Sequence, residues 1–272
     1  MRWRPISVGL GRPGNLFEPS LGRPDGLKVW LRLGWFSKWR SRKDEAVSDL
    51  DRPTVPAPIG QRGSALARIG LVIDDSGSTS GTDPNGWRYV AARRVVNLLV
   101  DGLGGEPLPD EVAVVHFSDQ PTPWLPLTSI ATRVGRAAVR GSLRAVAGGG
   151  TSIVPAIDRA ADLVGPMRAD EEVIVILFTD GESGESTEEL RAATARLPVG
   201  SMHVVVLGDR LRSQWQDVPV GSVTVITTLK TPADVEWVMA RALYQALGLG
   251  WSGPDRPPEG ADVITQAGEV RP

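Results

Sequence analysis

The chain has no cysteine among its 272 residues. Disulfide staples, thiolate metal sites and a cysteine nucleophile are therefore excluded, and the absence favours an intracellular setting, because extracellular adhesion proteins more often carry disulfides. Long apolar runs are missing as well: no stretch approaches the ~18–20 uninterrupted apolar residues of a membrane span. The start, Met1 to Arg12, shows no continuous apolar core and no small-residue cleavage site, so no secretory leader is expected and the expected location is cytoplasmic. The only histidines are His116 and His203. Both lie in apolar runs, where packing or hydrogen bonding is the expected role rather than catalysis. Neither the G-x-x-x-x-G-K-[ST] phosphate loop nor the G-x-S-x-G nucleophile elbow occurs.

What is present divides unevenly. The formal net charge is −2, but residues 1–43 hold ten Lys or Arg against two acids, and the remainder holds 20 basic against 30 acidic residues. A basic arm thus precedes an acidic body, the asymmetry of an interaction tail. Residues 1–25 are dense in Gly, Pro and Arg without periodicity. Between 26 and 43, Trp30, Trp35, Phe36 and Trp39 interleave with Lys28, Arg32, Lys38, Arg40, Arg42 and Lys43. That segment is expected to pack on the domain or dock to a partner, with contact to a membrane surface as the lesser alternative. Residues 1–64 are accordingly a basic, Trp-rich extension with a Pro-rich linker, 65–248 a domain, and 249–272 a flexible tail.

Within 65–248, short apolar runs alternate with helical patterns. The strand-like runs are Arg68–Ile73, Val112–Phe117, Val173–Phe178, His203–Leu207 and Val223–Thr227. Between them lie helix-like stretches at Trp87–Leu103, Ile130–Val146, Ile153–Val164, Thr187–Leu197 and Ala233–Leu247. Several of the strands are apolar on both faces, as expected where helices cover both sides of a mostly parallel sheet. The alternation predicts an α/β, Rossmann-like, doubly wound domain. Trp124–Leu127, flanked by Pro123 and Pro126, is expected as a short edge strand.

Three distant segments offer hydroxyl and carboxylate oxygens at strand ends or helix starts. They are Asp74-Asp75-Ser76-Gly77-Ser78, then Gly149-Gly150-Thr151, then Thr179-Asp180-Gly181. In a doubly wound sheet, ligands bind outside the carboxyl ends of the strands where strand order reverses. Asp74 and Asp180 each end a strand there, so topology brings them to one crevice. Ser76 and Ser78, two apart, are expected to face the same way, and Gly148–Gly150 permits a close backbone approach before Thr151. An all-oxygen set selects Mg²⁺ or Mn²⁺ over Zn²⁺ or Cu²⁺.

The order D-x-S-x-S, a downstream Thr and a later Asp resembles the metal-ion-dependent adhesion site (MIDAS) of the von Willebrand factor A domain family. The resemblance covers about residues 65–248. It implies a metal centre of Asp74, Ser76, Ser78, Thr151 and Asp180, with the hydroxyls as direct ligands and the Asps direct or through water. It also implies a non-enzymatic module that binds a protein, whose Asp or Glu carboxylate fills the open metal position. No nucleic acid is expected. Resemblance to bacterial intracellular members implies an adaptor beside an AAA+ ATPase or in a stress-response or tellurium-resistance assembly. The nearby acids Asp75, Asp83, Glu182 and Glu185 are expected to help retain the cation while repelling an acidic partner. Two alternatives stay open: a metal-dependent phosphatase-like hydrolase using Asp74, and a surface adhesin.

Overall fold

Period-two apolar patterning builds the centre of the molecule. Ile69, Leu71 and Ile73 belong to one buried cluster, whereas Val72 points into another. The structure is a computed structural model that describes residues 65–102, 109–146, 148–181, 183–208, 215, 217–227, 231–253 and 263–267. The basic arm and linker of 1–64 lie outside the described residues. The elements are β1 (Leu66–Asp74), α1 (Thr79–Thr82), α2 (Trp87–Val100), β2 (Glu111–Phe117), β3 (Pro121–Ser129), α3 (Arg133–Ser142) and α4 (Ile153–Val164). They continue with β4 (Glu171–Thr179), α5 (Thr187–Thr194), β5 (Met202–Leu207), β6 (Ser222–Ile226), α6 (Pro232–Ala246) and β7 (Val263–Ala267).

The strands form one sheet in the order β3-β2-β1-β4-β5-β6-β7. β2, β1, β4, β5 and β6 pair in parallel, and the two edge pairings, β2–β3 and β6–β7, are antiparallel. Apolar residues of α2, α3 and α6 cover one face with Ile69, Leu71 and Ile73. Those of α4 and α5 cover the other with Val72, Val175 and Leu177. This is the mostly parallel, doubly wound α/β sheet that the alternating pattern predicts. Close contact between layers needs Gly70, where an added Cβ would sit 3.3 Å from Val164 on α4.

Helix starts follow local chemistry. Ser186 with Glu189 forms a capping box on α5, and Thr231 with Asp234 does the same on α6, with Pro232 at its first turn. Two elements differ from the sequence reading. β3 spans nine residues rather than four, its prolines tolerated at the sheet edge. Part of the supposed flexible tail, Val263–Ala267, is a strand paired with β6 from Ser222↔Ala267 to Ile226↔Val263. It supplies hydrogen-bond partners to a strand that would otherwise end the sheet.

Candidate metal centre

β1 and β4 are neighbours in parallel register, Ile73 opposite Phe178, so Asp74 and Asp180 emerge from adjacent strand ends. Asp74 is fully buried and Asp180 is 1% exposed. One Asp74 oxygen accepts the Ser76 N–H at 2.8 Å, and the other accepts from the Thr179 hydroxyl at 2.8 Å. Burial pushes the Asp74 carboxyl above the usual carboxylate range, the bonds from Ser76 and Thr179 pull it back, and the neighbouring Asp180 charge adds to the rise. Asp180 accepts from the Thr82 hydroxyl on α1 at 3.2 Å.

The two serines meet as expected: Ser76 Oγ and Ser78 Oγ are 3.1 Å apart. They meet through a turn rather than an extended loop, because Ser78 has helical backbone angles and caps α1. The second segment is tied to the first by a bond from Gly77 N–H to Gly149 C=O at 2.8 Å. Its glycines are needed for proximity. A Cβ on Gly148 would sit 2.0 Å from the Asp75 carbonyl, and one on Gly149 would sit 2.3 Å from the Asp119 carboxylate. Thr151 follows at the entrance to α4, partly buried. The structure thus places Asp74 and Asp180 at two adjacent strand ends, brings the Ser76 and Ser78 hydroxyls together, and ties the loop that leads to Thr151 to the first segment by one backbone bond.

Asp75 and Asp83 do not face this centre, contrary to the sequence reading. In a strand, successive side chains alternate, so Asp75 follows Ile69, Leu71 and Ile73 toward the α2 side. There it accepts from the Tyr89 hydroxyl, lies 2.6 Å from His116 Nδ1 and is 3.7 Å from the Arg88 guanidinium. Asp83 pairs with Arg88 at 2.8 Å and accepts the Trp87 and Arg88 backbone N–H groups, so it occupies the N–H groups at the start of α2. His116 is a structural residue, its Nε2 lying 2.9 Å from the Ser142 carbonyl. His203 lies 2.9 Å from Ser222 Oγ, and burial lowers its pKa to about 4. Glu185 accepts the Val154 N–H at 3.2 Å and so caps α4 from the loop that follows Asp180. Glu182 lies outside the described residues.

The sequence reading missed Thr82 and Asp119 altogether, and named Thr179 and Glu185 without their supporting roles: Thr179 and Thr82 bond the two carboxylates, Asp119 accepts the Gly150 N–H at 2.6 Å, and Glu185 caps α4. Position offered a signal for Thr179, the last residue of a strand and two before Gly181, whose N–H it accepts at 3.1 Å. Among the described residues, no group of three or more His, Cys, Asp or Glu side chains could hold a metal ion. The candidate set is of another kind, with two carboxylates and three hydroxyls. Its chemistry fits a hard divalent cation, since two buried carboxylates of like charge converge with a hydroxyl pair. Asp74, Ser76, Ser78, Thr151 and Asp180 are the residues that would hold one.

Residues 69–182 match the family model described as von Willebrand factor type A domain. That span runs from within β1 to just past Asp180 and contains all five candidate residues. Among solved structures, the chain is similar to a von Willebrand factor type A protein from Catenulispora acidiphila, at 16% identity and TM-score 0.52, covering 79% of this chain and 65% of that one. It is also similar to proximal thread matrix protein 1 from the mussel byssus, at 19% identity and TM-score 0.51, covering 69% of this chain and 50% of that one. The mussel protein has also been solved with a zinc occupied MIDAS motif. A third likeness is to the pilus adhesin SpaC from Lactobacillus rhamnosus GG, at 14% identity and TM-score 0.52, covering 70% of this chain and 31% of that one. The chain therefore spans less than two thirds of the length of each of these structures. A search of curated proteins finds no match. No helix among the described residues is long and apolar enough to cross a membrane. In sequence match over residues 69–182 and in fold alike, the region that carries the candidate centre is similar to the von Willebrand factor type A domain.

Proposed function

We propose that this chain is a divalent-metal-dependent protein-binding module whose metal is held by Asp74, Ser76, Ser78, Thr151 and Asp180. One observation carries the reading. Asp74, fully buried, is raised by burial and by Asp180, and it is met by hydroxyl and amide donors, while its neighbour Asp75 takes the local Arg, Tyr and His partners. A cation is the natural complement of such a pair. The oxygen set selects Mg²⁺ or Mn²⁺, and an ion held by so few protein ligands keeps a position that a partner's carboxylate can fill.

The module acts as an adaptor in a multiprotein assembly rather than as an enzyme. Both histidines are committed elsewhere, His116 to Asp75 and the Ser142 carbonyl and His203 to Ser222, so neither stands as a general base at the centre. A bacterial, cytoplasmic setting is part of the proposal and is supported by the cysteine-free composition. An association with an AAA+ ATPase or a stress or tellurium-resistance assembly belongs to it through the family resemblance alone.

Calorimetric titration of the full chain with Mg²⁺, Mn²⁺ and Zn²⁺ tests the reading, zinc being included because it occupies the mussel protein's motif. The expected result is binding that Asp74→Ala removes. Identical traces for the wild type and the variant would sink the metal assignment. Turnover of an aryl phosphate in Mg²⁺, lost in Asp74→Asn, would replace the adaptor by a hydrolase.

A further inference from the structure

We propose that α3 is a docking surface for an acidic segment of a protein partner, laid along a file of arginines that ends at the rim of the metal centre. The inference rests on the metal-dependent binding reading and adds the partner's chemistry. α3 carries Arg133, Arg136 and Arg140 and no acid, and Arg144 follows just beyond its end. Steps of three and four place the Arg133, Arg136 and Arg140 side chains on one face. The opposite side, Gly135, Val139 and Ser142, is buried. Arg133, Arg140 and Arg144 are exposed and Arg136 partly so.

Several contacts hold these side chains in place. Arg136 donates to the Ile130 and Ala131 carbonyls at 3.0 Å each, Arg140 donates to Asn97 at 2.7 Å, and Arg144 lies 5.4 Å over the Trp124 ring. Among the described residues, no carboxylate lies within ion-pair distance of Arg133, Arg136 or Arg144. The other face of the domain differs: Arg196 bridges Asp158 and Asp162, and Arg168 pairs with Glu171. Arg133 opens the helix, where the macrodipole disfavours a cation and no acid compensates it. Helix stability does not account for its place.

The file has a direction. β3 runs from Pro121 beside Phe117 down to Ser129 beside Glu111, so α3 climbs back toward the strand ends that carry the centre. Its last turn reaches His116 through the Ser142 carbonyl, 2.9 Å away. His116 adjoins Phe117, whose carbonyl takes the Asp75 N–H at 2.7 Å. Four residues past Arg144, Gly148 is pressed against Asp75. From Arg133 to Arg140 the helix rises about 10 Å, the reach of a short extended segment.

An acidic protein segment fits better than a nucleic acid. An open metal position takes a single carboxylate, and residues 44–272 hold 20 basic against 30 acidic residues, so the body repels a long polyanion. Single-stranded nucleic acids also need exposed aromatic platforms, and Trp124, beside the file, is partly buried with Arg144 over its ring.

The test titrates an octaglutamate peptide into the full chain with Mg²⁺ at low and high salt, beside a separate Mg²⁺ titration and a thermal melt. The Arg133→Glu/Arg144→Glu variant is expected to lose about tenfold or more in peptide affinity and to show a flatter salt dependence, with Mg²⁺ binding and melting unchanged. Arg133→Lys/Arg144→Lys is expected to retain binding. Arg133→Glu alone provides a surface change if the double variant melts early. Peptide affinity that is absent in the wild type, or unchanged by charge reversal, overturns the docking surface while leaving the metal reading intact. Loss of the wild-type Mg²⁺ response overturns the metal reading instead. Tighter binding of a thymidine oligonucleotide or of phosphatidylserine vesicles through the same arginines replaces the acidic protein as occupant.

Discussion

Asp74 and Asp75 are adjacent in the chain, both buried, and opposite in circumstance. Asp75 sits among Arg88, Tyr89 and His116, which balance it from within the fold. Asp74 has the Ser76 amide, the Thr179 hydroxyl and a second carboxylate close by. A charge balanced internally is architecture, because removing it leaves its partners stranded. A charge left without such partners is where the proposed cation would sit. The sequence shows two aspartates; the alternation of a strand decides which is which.

The sharpest way to break that comparison is to remove Asp75. Asp75→Ala removes the acceptor of the buried Tyr89 hydroxyl and the partner of His116 Nδ1, while Arg88 keeps Asp83, and is expected to cost about 2–4 kcal/mol in a urea melt without metal. A loss below about 1 kcal/mol would show that the network is not structural. Asp74→Asn should behave otherwise. Its amide can still accept from Ser76 and donate to Thr179, so the metal-free stability is expected to stay within about 1 kcal/mol. What it should lose is the Mg²⁺-dependent gain, which for the wild type is about 2.7 kcal/mol at a hundred times the dissociation constant. An unchanged gain in the variant would place the metal elsewhere.

His203 sharpens the contrast as a buried titratable group with a hydroxyl for company. Its folded pKa of about 4 lies below the ordinary 6.5. Above pH 6.5 it is neutral whether folded or unfolded. Between 6.5 and 4 only the unfolded chain takes the proton, so stability falls as the pH falls, by about 2 kcal/mol between pH 7 and 5. In His203→Gln the corresponding part of the pH dependence should vanish from paired urea melts; an identical slope would count against the buried neutral imidazole. The smallest effect is expected at Glu185. Replacing it by Ala removes the carboxylate that caps α4 and should cost about 1 kcal/mol, with a weakened Mg²⁺ response in the same titration. A stability loss with Mg²⁺ binding untouched would confine Glu185 to the helix.

Much of this arrangement is legible in the sequence, for reasons that also mark where legibility stops. β1, β4 and β5 are continuous apolar runs, buried on both faces, and such runs announce themselves. Asp74 and Asp180 are legible because each follows such a run. α1 has four residues and no apolar period, so nothing in Thr79–Thr82 signals it. β7 escapes because Val263–Ala267 mixes polar and apolar residues after a Pro-rich stretch, and its strand character depends on the exposed edge of β6. The roles of Thr82, Asp119 and Glu185 depend on contacts across 98, 31 and 31 residues, which no local pattern carries.

The antiparallel seventh strand has a consequence for how the chain is made. β6 is complete at Ile226, but the strand that pairs with its outer edge begins only at Val263. At ~5–20 residues per second, synthesis leaves that edge bare for about 2–7 s while the intervening residues are added. For those seconds the nascent chain presents an unpaired row of backbone donors and acceptors beside a hydrophobic sheet. The vulnerable edge of this sheet is therefore set by the separation of β6 from β7 in the chain rather than by its core.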